Sequence, residues 1–418
     1  MKEPSRNTGT VYLMKKRTSP TTISFVEYVL LMALLMSLTA LSIDTVLPIL
    51  PLVGHDLHVA NENDTQFMIS FLFAGFSVGQ IFYGPASDTA GRLPTLYVGI
   101  IIFILGTLIS LTAQTFPLML LGRFLQGIGV ASPRVMSLAI TRDLYAGRDM
   151  ARVMSIIMAV FIFVPAIAPA IGQGIIAFVD WHYIFVLLLV IAVISSVWVY
   201  FRLPETLHRE YRRPFRIKTI LNGVKEAASN KITLGYTLCA GFIFGAFVGF
   251  LTSAQQIYQV LYGVGDLFAL YFAVSALSIG VSSILNSMVV KKYGMERICH
   301  YALISMMFTS VAFIISLLVL EQQMPLSGFV IYAVITFFCA GLLFGNFNAI
   351  AMEPMGHIAG IASAFCGALS SAISVMLGTI IGQMYNGTLL PLSLGFLGLS
   401  VCTFITQFMV GRKPAPAL

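Results

Sequence analysis

The chain has 418 residues, of which 58% are hydrophobic and only 10% are charged. A water-soluble protein of this size could not cover its surface with so few charges, so the composition indicates a protein surrounded by lipid. The formal net charge of +7 does not indicate nucleic-acid binding, because basic residues retained on one side of a membrane account for it. We therefore expect the lipid bilayer, and no nucleic acid, as a partner.

The apolar runs of the sequence predict the number of membrane helices. A helix that crosses a bilayer needs about 20 consecutive, mostly apolar residues. The chain supplies twelve such runs, so we expect an all-α membrane protein with twelve transmembrane helices. In chain order the predicted spans are 23–49, 66–85, 95–113, 117–141, 153–177, 181–201, 232–258, 267–290, 298–320, 326–350, 357–385 and 389–410.

The distribution of Lys and Arg predicts the orientation of these helices. With the N-terminus placed inside, every basic residue except Arg123 and Arg134 falls in a cytoplasmic segment, whereas outward-facing loops carry acids such as Asp56 and Asp180. Basic residues are retained on the cytoplasmic side of short loops. The pattern predicts a multi-pass protein of the bacterial cell inner membrane with both termini in the cytoplasm.

One long polar stretch divides the predicted helices into six and six. Layouts of this kind arise by duplication and hold a substrate near the middle of the membrane, between the halves. A weak repeat supports this, because Gly84 and Gly91 after span 2 have the same spacing as Ser287 and Gly294 after span 8. The expected segments are a cytoplasmic N-terminal arm (1–22), a six-helix half (23–201), a cytoplasmic linker (202–231), a second six-helix half (232–410) and a cytoplasmic tail (411–418).

The sequence does not predict an enzyme. The five cysteines are scattered singly through apolar spans, without the close Cys or His spacing of a metal site. We expect no metal, no cofactor and no catalytic residue, because a membrane enzyme would need an acid dyad, a metal cluster or an activated nucleophile inside the bilayer. No ATP-binding loop of the form GxxxxGK[ST] is present, so transport would have to use an ion gradient. We expect a monomer.

Two charged residues, Asp44 and Arg123, are expected at matching depth near the outer ends of spans 1 and 4. An ionisable side chain at that depth costs at least about 2.5–3.5 kcal/mol unless it has a partner, water or a function. One interpretation makes Asp44 a proton acceptor in a water-filled cavity, with Arg123 beside it. The other makes the two side chains a permanent ion pair that holds two helices together.

A second arginine, Arg134, follows Arg123 on span 4 by eleven positions. That spacing is close to three helical turns, so both side chains project from one face of the helix. Arg134 is interpreted either as a cationic contact for an anionic substrate or as a residue that binds backbone carbonyls or reaches the inner interface. The sequence leaves both interpretations open.

Several motifs resemble those of one transporter family. The loop 84–92 (GPASDTAGR) resembles the signature of the major facilitator superfamily between helices 2 and 3. The segments 42–48 (SIDTVLP), 123–129 (RFLQGIG) and 168–173 (APAIGQ) resemble the helix 1, 4 and 5 motifs of its drug/proton antiporters. With 348–360 (NAIAMEPMGHIAG), the set is most similar to the bicyclomycin-resistance (Bcr/CflA) branch. The resemblance implies the major facilitator fold.

The resemblance also implies a conformational latch at Asp88, Gly91 and Arg92. Asp88 would accept hydrogen bonds from the positive N-terminus of a neighbouring helix and pair with Arg92, which would hold or release one state of the transport cycle. The alternative is a static helix cap.

The motif in helix 5 implies a seam where two helices approach closely and can slide. Small residues let helix backbones come together in a membrane. The expected residues of this antiporter motif are Pro165, Pro169, Gly172 and Gly174. A simple packing motif is the alternative.

The implied function is a proton-coupled secondary transporter that exports amphipathic small molecules by alternating access. The alternative is transport or uptake of an anionic metabolite, such as a polycarboxylate or a siderophore, held by Arg123 and Arg134. Inward stripes of the helices predict further substrate-binding side chains, each of which could instead be ordinary packing. They are Phe73, Gln80, Gln255, Tyr258, Asn346, Asn348, Ser370 and Ser374.

Overall fold

The computed structural model describes residues 23–212 and 216–411, and all of its long elements are α-helices. The predicted N-terminal arm and nearly all of the predicted tail lie outside the described residues. The helices are α1 (Phe25–Asp44), α2 (Leu50–Asp56), α3 (Phe67–Ala90), α4 (Arg92–Leu111), α5 (Phe116–Leu144), α6 (Gly147–Ile176), α7 (His182–Arg202), α8 (Ile217–Ser229), α9 (Lys231–Gln255), α10 (Phe268–Tyr293), α11 (Met295–Val319), α12 (Leu326–Met352), α13 (Ala359–Gln383) and α14 (Leu390–Val410).

Twelve long membrane helices are present in the described residues, as the sequence predicts. Ten stretches are long and apolar enough to cross a membrane by length and composition alone, and one of them, Leu326–Gln383, contains both α12 and α13. Helix α5 is not among the ten because Arg123, Gln126 and Arg134 lower its hydropathy. Six helices form each half, with α1 and α2 making one interrupted span and α8 lying in the connection.

The first span is interrupted because of its prolines. Helix α1 ends at Asp44, and a short 3₁₀ turn, Leu47–Ile49, leads into α2. Pro48 has no N–H, so it cannot donate to the carbonyl of Asp44 four residues earlier. The last carbonyls of α1 are thus left without partners inside the helix and must find them elsewhere.

Glycines bring the helices of the first half unusually close together. Helix α5 packs against both α3 and α4, and a Cβ added to Gly75, Gly127 or Gly129 would collide with the backbone of the facing helix. In the second half, α12 packs against α10 and α11 in the same way but less tightly. There a close approach occurs at Gly341, while Gly345 has no atom within 4 Å of an added Cβ.

The two halves meet along two seams, α3 with α13 and α6 with α10. We call the side of the bundle where α1 begins and α14 ends the termini side, and the opposite side the far side. On the far side Asn63 donates to the carbonyls of Gln383 (3.3 Å) and Tyr385 (2.9 Å), and Gln383 donates back to the Asn63 carbonyl (2.8 Å). Gln256 joins Asn63 (2.8 Å) and Gln66 to this group. These five residues, which we call the amide clasp, connect the halves without any charge.

The break in the first span is covered by α6. A Cβ on Gly172 would lie 2.9 Å from Cγ of Pro48 and closer still to the Thr45 carbonyl oxygen. Gly174 has no atom within 4 Å of an added Cβ. The expectation that both glycines allow close approach is therefore wrong for Gly174, because positions two apart on a helix point in nearly opposite directions. Pro165 and Pro169 lie inside the same helix.

We expect Gly172→Ala to destabilise the protein by about 1–3 kcal/mol, because the added methyl group has no room against Thr45 and Pro48. Gly174→Ala is the matched control in the same helix. Alanine loses less backbone entropy than glycine on folding, so this change should stabilise the protein by up to about 1 kcal/mol. Thermal unfolding of both purified variants in detergent measures the difference. Equal effects at the two positions would contradict the packing.

Candidate proton and substrate site

Asp44 is buried at the end of α1 with no partner. Its side chain is 4% exposed, and it makes no hydrogen bond or ion pair with any other described residue. The C-terminal end of a helix carries partial negative charge, which opposes a second negative charge there. An ionised carboxylate at this position is therefore costly, and binding a proton relieves the cost.

Arg123 is fully buried and has hydrogen-bond partners on two neighbouring helices and on its own helix. Its guanidinium donates to the carbonyls of Ser42 on α1 (2.7 Å) and Met68 on α3 (3.1 Å). It also donates to Oε1 of Gln126 (2.8 Å), whose amide nitrogen donates to Thr107 on α4 (2.8 Å). Arg123 therefore joins α1, α3 and α5 through neutral oxygens, and Gln126 extends this connection to α4.

The ion pair between Asp44 and Arg123, one of the two alternatives from the sequence, is not formed. No nitrogen of Arg123 lies within ion-pair distance of Asp44 in the described structure, because the guanidinium binds the Ser42 carbonyl that the helix break leaves free. The sequence signal for this arrangement is Pro48, because a proline disfavours helical backbone just before it and so ends α1 with its last carbonyls unpaired. The structure brings the two residues to the same break but gives them different surroundings.

Arg134 lies between two aromatic rings. Its guanidinium carbon is 5.5 Å from the ring centre of Phe76 on α3 and 5.7 Å from that of Phe161 on α6. It is half-buried and makes no ion pair or hydrogen bond with another residue in the described ranges. Contacts of a cation with ring faces contribute about 0.5–2 kcal/mol and leave its donors free for a ligand.

An aromatic cluster lies next to this arginine at the junction of the halves. Phe73, one turn from Phe76 on α3, contacts Phe244 of α9 edge to face at 5.7 Å. Phe244 in turn contacts Phe247 (5.8 Å) and Phe344 (5.4 Å). Sequence reasoning found Phe73 but missed the other three, although Phe344 stands one turn before the predicted Asn348. We call Phe73, Phe244, Phe247 and Phe344 the aromatic cluster.

Three other predicted substrate residues lie at or near the boundary of the halves. Asn348 is exposed on the face of α12 that carries Phe344, and its amide donates to the Phe344 carbonyl (2.9 Å). Gln80 donates to Ser371 across the α3 and α13 seam (3.2 Å). Gln255 is buried toward the far side and donates to Gln259 (3.2 Å).

Two predicted substrate residues are instead packed inside the second half. Tyr258 is fully buried against Phe329, with its hydroxyl 3.3 Å from that of Ser275. Asn346 exchanges hydrogen bonds with Asn286 of α10 (2.9 and 3.2 Å). In this structure both side chains contact residues of their own half, because a helix face that looks inward can face a neighbour there. Their role in substrate binding stays a prediction.

The two serines of α13 follow the same pattern. The hydroxyl of Ser374 is fully buried and donates to the Ser371 carbonyl of its own helix (3.0 Å). The half-buried Ser370 donates to Gly367 (3.1 Å), and its Cα faces Gly241 of α9. Both hydroxyls are satisfied within the helix, so the structure places them in packing positions.

The predicted latch lies on the termini side as a network of charges. Arg92 pairs with Asp88 (2.7 Å) and with Asp143 at the end of α5 (2.9 Å). The other oxygen of Asp88 is 4.0 Å from the position of a Cβ on Gly360, in the first turn of α13. Asp88 therefore stands between its own half and the positive N-terminus of a helix in the other half.

Glu205, rather than Asp88, caps α4. Its carboxylate accepts hydrogen bonds from the backbone N–H groups of Arg92 (3.0 Å) and Leu93 (3.1 Å), which begin that helix. Gly91, between α3 and α4, has φ +111°, and a Cβ there would lie 2.6 Å from Oε2 of Glu205. No motif of the sequence predicts this role for Glu205.

The described residues contain no group of three or more His, Cys, Asp or Glu side chains that could hold a metal ion. The chemistry that the arrangement offers is thus that of a buried carboxylate, a cation without an acid partner, and aromatic rings. It suits proton exchange and the binding of an organic molecule.

Comparisons with known proteins give the following similarities. Residues 32–379 match the family described as Major Facilitator Superfamily. The chain is 31% identical to a bicyclomycin resistance protein homolog of Haemophilus influenzae, over 87% of this chain and 91% of that one. It is 26% identical to the multidrug resistance protein MdtL of Salmonella paratyphi C, over 90% and 93%. A partially occluded, inward-open structure of the xylose transporter XylE from E. coli aligns with a TM-score of 0.67 at 15% identity, over 92% and 98%.

We predict that Asp88→Asn slows the conformational cycle without weakening substrate binding. The amide keeps the shape of the side chain but removes the charge that faces α13, while Asp143 still holds Arg92. Turnover and equilibrium binding, measured on the same purified protein, check this.

Glu205→Gln is the control for the latch prediction. It removes the charged acceptor at the start of α4 and should lower the stability of the protein by about 1–3 kcal/mol. A large loss of binding with normal turnover in Asp88→Asn would contradict the placement of Asp88 at a moving contact.

Proposed function

Since this chain belongs to the major facilitator superfamily, we propose that it is a proton-coupled exporter of amphipathic small molecules in the bacterial inner membrane. The names of its bicyclomycin- and multidrug-resistance relatives support export of organic compounds. The concentration of Lys and Arg on the termini side supports a cytoplasmic location for that side. The substrate then enters between the halves from one side and leaves on the other.

The observation that carries the proposal is the contrast between Asp44 and Arg123. Arg123 is satisfied by carbonyls and an amide, so it needs no counter-ion. Asp44 is buried at the same break and has no partner in the described chain. A carboxylate in this position binds a proton while it is shielded and releases it when water reaches it. That behaviour is what coupling to a proton gradient requires.

The substrate class follows from Arg134 and the aromatic cluster. Aromatic rings bind the apolar body of many organic molecules without demanding one shape. Arg134 lies on Phe76, one turn from Phe73 of the cluster, and keeps free donors. A charge-assisted hydrogen bond from such a donor to an anionic group contributes about 1.5–3 kcal/mol. We infer an amphipathic substrate with an apolar body and at least one acidic group. The alternative of a small anionic metabolite would use Arg134 in the same way but would depend little on the rings.

Alternating access requires contacts that can be broken on each side. The amide clasp closes the far side, while the latch at Asp88 and Arg92 stands on the termini side. Helices α5 and α12, by contrast, have hardly any contact with each other. We assign the rocking of one half on the other to the α3 with α13 and α6 with α10 seams.

We expect Asp44→Asn to abolish proton-driven transport while the protein remains folded, because the amide keeps the shape but cannot carry the proton. Proteoliposomes with an imposed pH gradient and a labelled compound panel measure transport, and an enclosed pH dye measures proton movement. Asp149→Asn, an exposed acid on the termini side, is the matched control. Uncoupler-sensitive transport at the wild-type rate in Asp44→Asn would refute the coupling role.

Arg134→Ala should weaken binding of an anionic ligand by about 1.5–3 kcal/mol and should spare a cationic ligand with the same aromatic body. Calorimetry of both ligands on each purified variant decides this. Arg142→Ala, an exposed arginine at the end of the same helix, should change neither affinity. Phe244→Ala should weaken both ligands, which separates the role of the rings from that of the charge. Equal losses for the two ligands in Arg134→Ala would make Arg134 a structural residue.

A further inference from the structure

A large groove lies outside the candidate site, on the lipid-facing surface of the second half. Its volume is about 1020 Å³, at the upper end of the range of about 300–1,000 Å³ that is typical of small-molecule sites. It lies between α10, α11 and α12, and the candidate site contributes no residue to it. The residues that line it are Leu285, Val289, Tyr293, Arg297, Ile298, Tyr301, Ala302, Ser305, Val334, Ile335, Phe338, Cys339 and Leu342.

The groove exists because α11 lacks the glycines of α4, its counterpart in the first half. There Gly99 and Gly106 of α4 let that helix close on α5. Helix α11 has no glycine, and α12 presents Phe338 and Leu342 to the groove. Helices α10 and α11 both pack along α12 but touch each other little, so a cleft remains between them.

The lining divides the groove into a long apolar part and a short basic end. The apolar part consists mostly of aliphatic and aromatic side chains from the middle of α12 and the adjoining parts of α10 and α11. At the termini side, Arg297 lies in the first turn of α11, between Tyr293 and Tyr301. Lys291 and Lys292 end the preceding helix α10. The charge thus stands where a bilayer has its headgroups.

The charge of Arg297 is available to a ligand. Its half-buried side chain makes no ion pair or hydrogen bond with another residue in the described part of the chain. Among the described residues that line the groove, none is acidic. The neighbouring acid Glu296 is not part of the lining. An anionic group at this end therefore meets a cation without displacing a carboxylate.

We propose that this groove binds one anionic phospholipid, with an acyl chain along the apolar part and its phosphate at Arg297. The groove opens to the membrane, since Tyr301 is 70% and Ile335 is 38% exposed, so its occupant comes from the bilayer. Basic pockets between membrane helices on the cytoplasmic side bind anionic headgroups in this way. The lipid fills the space that tighter helix packing fills in the first half.

Bound lipid has a consequence for the stability of the second half. It contacts α10, α11 and α12 at once and binds only when these helices are assembled. A ligand that binds the folded state alone raises stability with its concentration. Anionic lipid therefore stabilises the very helix, α10, that forms one of the two seams between the halves.

The test uses the full-length protein, stripped of lipid in detergent and titrated with phosphatidylglycerol or with phosphatidylethanolamine of identical acyl chains. Native mass spectrometry counts bound lipids, and thermal unfolding follows their effect. We expect one phosphatidylglycerol to bind about fivefold to tenfold more tightly than phosphatidylethanolamine, from the attraction of a single arginine and the nearby lysines. Arg297→Gln should lose most of this preference, and Arg142→Gln, on the same side but outside the groove, should keep it.

A second variant tests the apolar part of the groove. Ser305→Trp places a large side chain in the exposed part of the lining and should remove the tight site for both lipids, without touching the charge. Equal affinity for the two lipids in the unaltered protein, or unchanged binding in both variants, would overturn the proposal. Either result would mean that the groove is covered only by the ordinary lipid of the bilayer. Displacement of the lipid by inorganic phosphate would show a site for soluble anions instead.

Discussion

The hydrogen bond from Arg123 to the Ser42 carbonyl is the interaction on which the rest of the site depends. The prolines break the first span and leave carbonyls without donors inside the membrane. An unsatisfied carbonyl there costs several kcal/mol, and the guanidinium removes that cost at the helix end where positive charge is favourable. With Arg123 held by neutral groups, Asp44 stays unpaired. Had the two side chains paired, neither a free carboxylate nor a stable break would remain.

The three ionisable residues Asp44, Arg123 and Arg134 show three ways in which a membrane protein accommodates such a group. Arg123 donates to oxygens of α1, α3 and its own helix α5 and acts as a fixed connection between them. Arg134 lies against two rings and keeps its donors. Asp44 has neither kind of support. Arg123 thus has the most hydrogen-bond partners and Asp44 has none. We expect the surroundings of Arg123 to change least during transport and those of Asp44 to change most.

The sequence predicts the helices and motifs well, because hydropathy and spacing depend on local chemistry. It identifies Asp44, Arg123 and Arg134, since a charge in an apolar run stands out. It cannot tell whether an inward-looking helix face meets the cavity or a neighbour in its own half, as the faces with Tyr258 and Asn346 do here. The sequence also does not predict contacts between residues that lie far apart in the chain. Glu205 reaches Arg92 from more than 100 residues away, and no local pattern announces that contact.

The amide clasp on the far side has a property that follows from its composition. Its side chains are amides and one phenol, joined partly through backbone carbonyls. None of these groups changes charge across the ordinary pH range, and neutral hydrogen bonds are not screened by salt as ion pairs are. The contacts that join the two halves on the far side therefore do not depend on the acidity or the ionic strength of the solution on that side. A change of pH or salt acts instead on charged residues, among them those of the termini side, where Arg92 pairs with Asp88 and Asp143.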